Sequence, residues 1–252
     1  MEERAHKHQI VLSSSYSTHS RIGMDFVDDG EGFEKAVAVV CGTYGGKPVP
    51  FSIHAICTDS ESWDSVVRKD PYFDDVRIID SLDYFTGLIG RERYLKGTDV
   101  ARYVLSKGKC SYTRLQRLVY LCYADYLCDT GSMLFNDRIF ASRYGPSAES
   151  VYGSYRGRSW QGCYDPEPSE DHRERWTKAD PMAIRSRLLF SEDGIRKTYS
   201  IDRTLEKYMG MTTEELVGLT NRQNSPWSHV ERVGLYDVIP DDTIMKYHRY
   251  EV

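Results

Sequence analysis

The sequence has no apolar run that approaches the roughly 18–20 residues needed by a membrane-crossing helix. Its 252 residues are 40% hydrophobic and 28% charged, which is ordinary for a globular protein and argues against global disorder. The charged start, Met1–His8, is not followed by the apolar stretch and cleavage site of a secretory signal. We therefore expect a cytoplasmic protein that does not act at a membrane.

Cysteine pairs with metal-ligand spacing are also missing. None of the six cysteines forms a Cys-x-x-Cys pair, and their spacing matches no zinc ribbon or finger. Disulfides are rare in a reducing compartment, and free cysteines are among the most buried residue types. We predict buried structural thiols for most of these positions, which are Cys41, Cys57, Cys110, Cys122, Cys128 and Cys163.

The signatures of common enzyme classes are absent as well. The chain has no His-Glu-x-x-His, Gly-x-Ser-x-Gly or Gly-x-Gly-x-x-Gly motif. The segment Gly42–Lys47 resembles a phosphate-binding loop, but Cys41 replaces the first glycine, and Pro48 stands where Ser or Thr should follow the lysine. We predict a protein that is not an enzyme and that has no cofactor and no metal.

One acidic cluster keeps a different hypothesis open. Asp25, Asp28, Asp29 and Glu31 lie close together in sequence and supply enough oxygen ligands for a hard cation. A metal-dependent enzyme in the N-terminal part is therefore an alternative. The same residues also fit a plain acidic loop, and no catalytic base can be named beside them.

Charge is distributed unevenly along the chain. Residues 1–95 contain 10 Lys/Arg and 16 Asp/Glu, whereas the remaining residues contain 23 and 22. We therefore do not expect the first part to bind nucleic acid, because phosphate neutralisation requires an excess of basic groups. The acidic face either is simply solvated or binds a basic protein, and in the second case we expect contacts from Asp74, Asp75 and Asp83.

The N-terminal 95 residues predict a small mixed α/β domain. Short apolar runs predict strands at 9–12, 23–27 and 75–79, and Asp80 or Ser81 can cap a helix that starts near Leu82. Residues 35–41 and 51–57 flank a Gly/Pro-rich turn and predict a hairpin. The second arm has a period-two pattern, which predicts a half-buried face formed by Phe51, Ile53, Ala55 and Cys57.

Residues 96–252 predict a mainly helical domain, so the fold class is α+β. The strongest helix is 113–129, which opens at Ser111, is apolar nearly all round and ends at Gly131. Thr98 or Asp99 is expected to cap a helix that runs to Lys107. Extended pieces at 133–135 and 138–142 precede a turn at 144–146, and further helices are predicted at 147–155, 182–190, 195–209, 212–220 and 240–247.

Several separated motifs in this second part occur in one family's order. The first is Leu115-Gln-Arg-Leu118, which is followed by Gly131-Ser-Met-Leu-Phe135 and by the turn Tyr144-Gly-Pro146. Downstream come Leu219-Thr-Asn221 and Ser225-Pro-Trp227. Together they resemble the Panacea domain, also called the SocA-like antitoxin domain, over about residues 98–250. Asn221 stands where the family commonly has His, and Ser142 where it commonly has Trp; the resemblance does not cover the first 95 residues.

The resemblance implies an antitoxin of a type II toxin–antitoxin system, a class that includes phage-defence systems, which neutralises a cognate toxin by protein–protein contact. A variant role in the family is an adaptor that delivers the partner to a cellular protease. Because partners differ between family members, we hypothesise that residues 1–95 supply partner specificity.

An aromatic and basic stretch follows the Tyr-Gly-Pro turn. Tyr, Trp and Arg dominate protein-interface hot spots, and the same mixture can stack and clamp single-stranded RNA. It also fits an ordinary helix end with a solvated loop. We take these residues as candidate partner contacts: Tyr152, Tyr155, Arg156, Arg158 and Trp160. Trp227 is expected to plug the core with its indole N–H hydrogen-bonded.

Overall fold

A computed structural model of the chain describes residues 5–16, 20–156, 181–230 and 236–251. The chain divides into two compact units, Met1–Arg93 and Tyr94–Val252, and each is described by itself. The first is built around a sheet and the second is mostly helical, which confirms the predicted α+β class. No helix in the described ranges is long and apolar enough to cross a membrane.

The first unit is a four-stranded sheet with helices on both faces. Strand order is β3-β1-β2-β4, in which β1 runs antiparallel to β2 and β3, and β4 runs parallel to β2. The elements are β1 His6–Ser15, β2 Ser20–Val27, α1 Gly30–Gly42, β3 Ser52–Thr58, α2 Trp63–Lys69, a 3-10 turn Pro71–Phe73, β4 Val76–Ile78 and α3 Leu82–Glu92.

The sheet has an apolar layer on each face, because neighbouring residues of β1 point to opposite faces. Val11 packs with residues of α1 and α3, such as Val40 and Phe85. On the other face, Ile10 packs with Val66 of α2 and with the 3-10 turn. The predicted strands at 9–12, 23–27 and 75–79 are confirmed, and Ser81 caps α3 by accepting a hydrogen bond from the Tyr84 N–H at 3.3 Å.

The predicted hairpin of residues 35–41 and 51–57 is wrong. Residues 35–41 belong to α1, which begins after Asp29, whose carboxylate accepts a hydrogen bond from the Gly32 N–H at 2.9 Å. Residues 52–58 do form a strand, but it pairs with β1. The predicted face is also reversed: Ile53 is 51% exposed, whereas Ile56 packs against the core on the opposite face.

The second unit surrounds one central helix, α5. Its small antiparallel sheet has the order β6-β5-β7. The elements are α4 Gly97–Lys107, α5 Tyr112–Thr130, β5 Ile139–Ser142, β6 Gly145–Ala148, α6 Glu149–Tyr155, α7 Pro181–Leu189, α8 Gly194–Tyr208, α9 Thr213–Asn221, β7 Asp237–Val238, α10 Asp241–Tyr247 and a 3-10 turn His248–Glu251.

Helix α5 is buried almost all round, as its sequence predicts. Apolar residues on different sides of the helix, among them Leu118 and Leu121, are fully buried and belong to one core cluster. The Ser111 hydroxyl accepts a hydrogen bond from the Arg114 N–H at 3.3 Å, and Gly131 ends the helix in the left-handed conformation at φ 66°. The predicted boundaries and both caps of this helix are therefore confirmed.

Other helix starts differ from the expectation. Helix α4 is capped at Lys96, because the Asp99 carboxylate accepts a hydrogen bond from the Lys96 N–H at 2.9 Å; neither Thr98 nor Asp99 is the cap. The helix expected from residue 147 begins at Glu149, because residues 145–148 form β6 and pair with β5. The capping box of Thr212 and Glu215 at the start of α9 is confirmed.

The cysteine prediction is confirmed only in part. Cys110 and Cys122 are buried, and burial raises the pKa of the Cys122 thiol. Cys41 and Cys57 are exposed, because α1 and β3 turn these side chains away from the apolar layers. Cys163 lies outside the described residues.

Alanine at Gly131 is expected to lower the free energy of unfolding by about 1–2 kcal/mol, because a Cβ disfavours the left-handed conformation. Urea denaturation measures this change. Gly153→Ala in the interior of α6, where an added Cβ meets nothing within 4 Å, is the matched control and should be neutral or stabilising. Equal losses in the two variants would contradict the assignment.

Candidate partner-binding surface

The first turns of α5 support the β5–β6 hairpin through hydrogen bonds to its backbone. Arg117 is 1% exposed, and its guanidinium donates hydrogen bonds to the carbonyl oxygens of Tyr144 and Pro146. The neighbouring Gln116 accepts a hydrogen bond from the Ala148 N–H at 3.3 Å. The Leu-Gln-Arg-Leu motif of the sequence therefore anchors the backbone of this hairpin.

Residues from the downstream motifs reach the same hairpin. The Asn221 side-chain amide donates to the Tyr144 carbonyl at 2.9 Å, and the Trp227 indole N–H donates to the Ser142 carbonyl at 2.9 Å. Trp227 is partly buried and packs against the main core cluster, as expected for a core plug. Gly145 has φ 129°, and an added Cβ there would clash with Asn221 and Arg117.

Four of the five separated motifs therefore meet at or beside the Tyr-Gly-Pro turn. Its glycine is needed for conformation and for close packing. Its proline lies in β6 and supplies a carbonyl to Arg117. Burial lowers the pKa of the Arg117 guanidinium to about 10, which leaves it charged at neutral pH.

Beside the hairpin lies an aromatic cluster formed by Phe140, Tyr152 and Tyr236. The three rings meet edge to face, with centroids 5.3–5.5 Å apart. The hydroxyls of Tyr152 and Tyr236 are hydrogen-bonded at 2.9 Å, and this bond raises the pKa of Tyr152. The Arg156 guanidinium lies 5.2 Å from the centre of the Tyr152 ring, in range of a cation–π interaction.

Two tyrosines of this region present large apolar area to solvent. Tyr144 is 69% exposed at the tip of the hairpin, and Tyr236 is 42% exposed. Tyr236 also has φ 87°, a strained conformation for a bulky residue and of a kind that is enriched at functional sites. We call this region the aromatic surface and define it as Phe140, Tyr144, Tyr152, Arg156 and Tyr236.

The candidate contacts of the sequence are only partly brought together here. Tyr152 and the exposed Arg156 lie on the aromatic surface. Tyr155 is 1% exposed and belongs to the core cluster, so it is not part of that surface. Arg158 and Trp160 lie outside the described residues. Sequence reasoning missed Tyr236, which follows Leu235 in a short stretch with no motif that marks it.

The acidic candidates of the first unit do not form one cluster. Asp74 and Asp75 precede β4, whereas Asp83 follows that strand, in the first turn of α3. Asp75 is engaged by Arg21, whose Nε donates to both of its carboxylate oxygens at 2.9 and 3.1 Å. Asp74 and Asp83 are exposed.

The acidic residues that could have bound a metal have other roles. Asp28 accepts a hydrogen bond from the Lys7 N–H at 2.9 Å, and Asp29 caps α1. Glu31 is exposed in the first turn of α1. Across the described ranges, no three His, Cys, Asp or Glu side chains are grouped so that they could hold a metal ion.

Asp25 belongs to a buried polar network that sequence reasoning missed. Its carboxylate lies 2.7 Å from Nδ1 of His8, which is fully buried. His8 Nε2 lies 3.0 Å from the Thr58 hydroxyl and 2.9 Å from the Ser60 carbonyl. Because a carbonyl only accepts, Nε2 carries a proton and is not a base toward Thr58 in this arrangement. Burial raises the pKa of Asp25.

Comparison with known proteins gives one family match, which lies within the second unit. Residues 115–228 match the family model described as "Antitoxin SocA-like, Panacea domain". This stretch is similar to the Panacea domain. The resemblance is confirmed, over a narrower range than the 98–250 expected, and the N-terminal region matches no family model. Neither the curated proteins nor the solved structures gave a match.

The matched range contains all the side chains that hold the hairpin. Arg117, Asn221 and Trp227 lie inside it, whereas Tyr236 lies beyond its end. The Panacea motifs thus define the support of the hairpin, and part of the aromatic surface is added by β7 and the residue before it. The family suggests an antitoxin role with a protein partner and favours a non-enzymatic function.

Proposed function

We propose that this chain is a cytoplasmic antitoxin of a type II toxin–antitoxin system, which neutralises its toxin by direct contact through the aromatic surface. One observation carries the proposal: the family motifs converge on the β5–β6 hairpin and hold it so that Tyr144 is 69% exposed at its tip. A buried, charged anchor beneath an exposed aromatic tip is suited to a rigid contact surface.

The chemistry of the aromatic surface fits a protein partner. Tyr and Arg are enriched in interface hot spots because they bury large area and keep hydrogen-bonding groups at the rim. The edge-to-face contacts with Phe140 fix the rings of Tyr152 and Tyr236 before binding, which reduces the entropy lost on association. An interface of standard size, about 1,600 Å² in total, would extend beyond these residues.

We propose further that the first unit contributes partner specificity. It lies outside the Panacea match and carries the acidic excess of the chain. Exposed Asp74 and Asp83 would attract a basic toxin and raise its association rate. Asp74 precedes β4 and Asp83 lies in the first turn of α3, so we expect the two carboxylates to act as a broad field and not as one binding site.

Co-expression with the neighbouring gene tests both proposals. A small adjacent open reading frame should arrest growth when it is expressed alone, and the full chain should restore growth and co-purify with its product. Reversing both charges with Asp74→Lys and Asp83→Lys should slow association and reduce its dependence on salt. Asp59→Lys, at another exposed acidic position of this unit, is the matched control. Equal behaviour of the two variants would contradict specific steering by these carboxylates.

A further inference from the structure

Strand β3 is an edge of the sheet in the first unit. It pairs with β1 on one side, and no strand in the described part of the chain pairs with its other side. The register from His6↔Thr58 to Leu12↔Ser52 is continuous, so the backbone directions along β3 alternate without interruption.

Two independent contacts show which residues of β3 face outward. Lys7 directs its N–H and its carbonyl to Asp28, next to β2, with both hydrogen bonds at 2.9 Å. The residue opposite Lys7 on β3, Cys57, therefore points its backbone groups away from β1. In agreement, the Cys57 carbonyl accepts a hydrogen bond from Lys69 Nζ at 2.5 Å. By alternation, the N–H and carbonyl groups of Ile53 and Ala55 also point outward.

The outer edge has few of the features that normally prevent pairing with another strand. Charged residues, prolines and bulges usually protect such edges. The seven residues of β3, Ser-Ile-His-Ala-Ile-Cys-Thr, include no charged side chain and no proline. Lys69 covers one carbonyl, and Ile53 is 51% exposed on the uncovered face.

We propose that β3 pairs with β3 of a second copy of this chain, antiparallel about Ala55, so that two four-stranded sheets join into one. In this register Ile53 faces Cys57 of the other copy, and Ala55 faces its own equivalent. Each facing pair can exchange both backbone hydrogen bonds. Asp59, just beyond the strand, would face Phe51 and not another carboxylate. The edge is thus self-complementary, as a two-fold interface requires.

Charge substitutions at the two-fold axis test this dimer with the full chain. Light scattering should give about twice 29.1 kDa for the unmodified chain. Ala55→Lys and Ala55→Glu place like charges opposite each other, so each variant alone should be a monomer. An equimolar mixture should return to the dimer mass, which a misfolded variant would not do. Val39→Lys, at a position 43% exposed on α1, is the control and should remain dimeric.

Three outcomes would overturn the proposal. The unmodified chain could be a monomer up to about 100 µM, far above ordinary micromolar self-association. Both Ala55 variants could remain dimeric, which would place the interface elsewhere. A monomeric unmodified chain whose toxin binding is lost in Ala55→Lys would mean that the edge accepts a strand of the toxin instead.

Discussion

Replacing Arg117 with alanine is expected to lower the free energy of unfolding of the second unit by about 3–5 kcal/mol. The substitution removes a charged donor from the carbonyl groups of Tyr144 and Pro146, of which the second is buried. The buried Pro146 carbonyl then loses its hydrogen bond without access to water, the Tyr144 carbonyl keeps only the one from Asn221, and a cavity is left beside α5. Urea denaturation measures the loss, and hydrogen exchange should show that residues 142–148 lose protection first.

Matched variants separate the hydrogen bonds of Arg117 from its volume. Arg117→Met keeps most of the volume without a donor and should lose nearly as much as alanine, whereas Arg117→Lys retains one donor and should fall between. Arg138→Ala, at an exposed position of the same hairpin, should leave the denaturation midpoint unchanged. If the Arg117 and Arg138 variants behaved alike, the buried anchor would not support the hairpin.

Replacing Tyr236 with alanine is expected to weaken toxin binding at least tenfold, since a central aromatic contact typically contributes about 2 kcal/mol or more. The substitution removes exposed aromatic area, two edge-to-face contacts and the hydroxyl partner of Tyr152. Calorimetric titration of the purified toxin measures the change. Tyr236→Phe keeps the ring and removes only the hydroxyl, so its loss should be smaller.

The control for this prediction is Tyr199→Ala. Tyr199 is 70% exposed on α8, against 42% for Tyr236, and lies outside the aromatic surface. Its removal should leave toxin affinity within a factor of about two, as for most residues outside a hot spot. Equal losses at Tyr199 and Tyr236 would mean that the toxin contacts a different or much wider surface.

The elements that could be predicted from sequence are those decided by local signals. Helix α5 has a continuous apolar pattern, a serine cap and a terminal glycine, and all three act within a few residues. The strand predicted for residues 35–41 was wrong because valine and alanine occur both in buried strands and on the buried faces of helices. The helix is favoured over a strand only by the capping contact of Asp29 and by the packing of Val40 on the sheet.

The reversed face of β3 has a tertiary cause. The alternation of the strand was predicted, but its phase depends on which face a helix covers. Ile56 faces the side covered by α2, and Ile53 faces the side that α1 and α3 leave open at this edge. When apolar residues occur at both odd and even positions of a strand, the pattern does not show which set faces the core.

Residue type predicted Tyr152 and Arg156 of the aromatic surface, whereas only the family motifs pointed to the residues that anchor the hairpin. The hydrogen bonds of Arg117 reach carbonyls 27 and 29 residues away, and that of Trp227 reaches one 85 residues away. Main-chain carbonyls carry no sequence signal, so spacing alone could not reveal the hairpin anchor. The buried pair of His8 and Asp25 leaves a weak trace, since both lie on one face of adjacent antiparallel strands.

Co-purification from cells that express the full chain with the product of the neighbouring gene tests the central claim most directly. We expect the unmodified chain to restore growth and to form a stable complex, whereas Tyr236→Ala should restore growth less well and dissociate faster while its thermal stability is kept. Failure of the unmodified chain to bind or neutralise that product, or full neutralisation without a detectable complex, would contradict it.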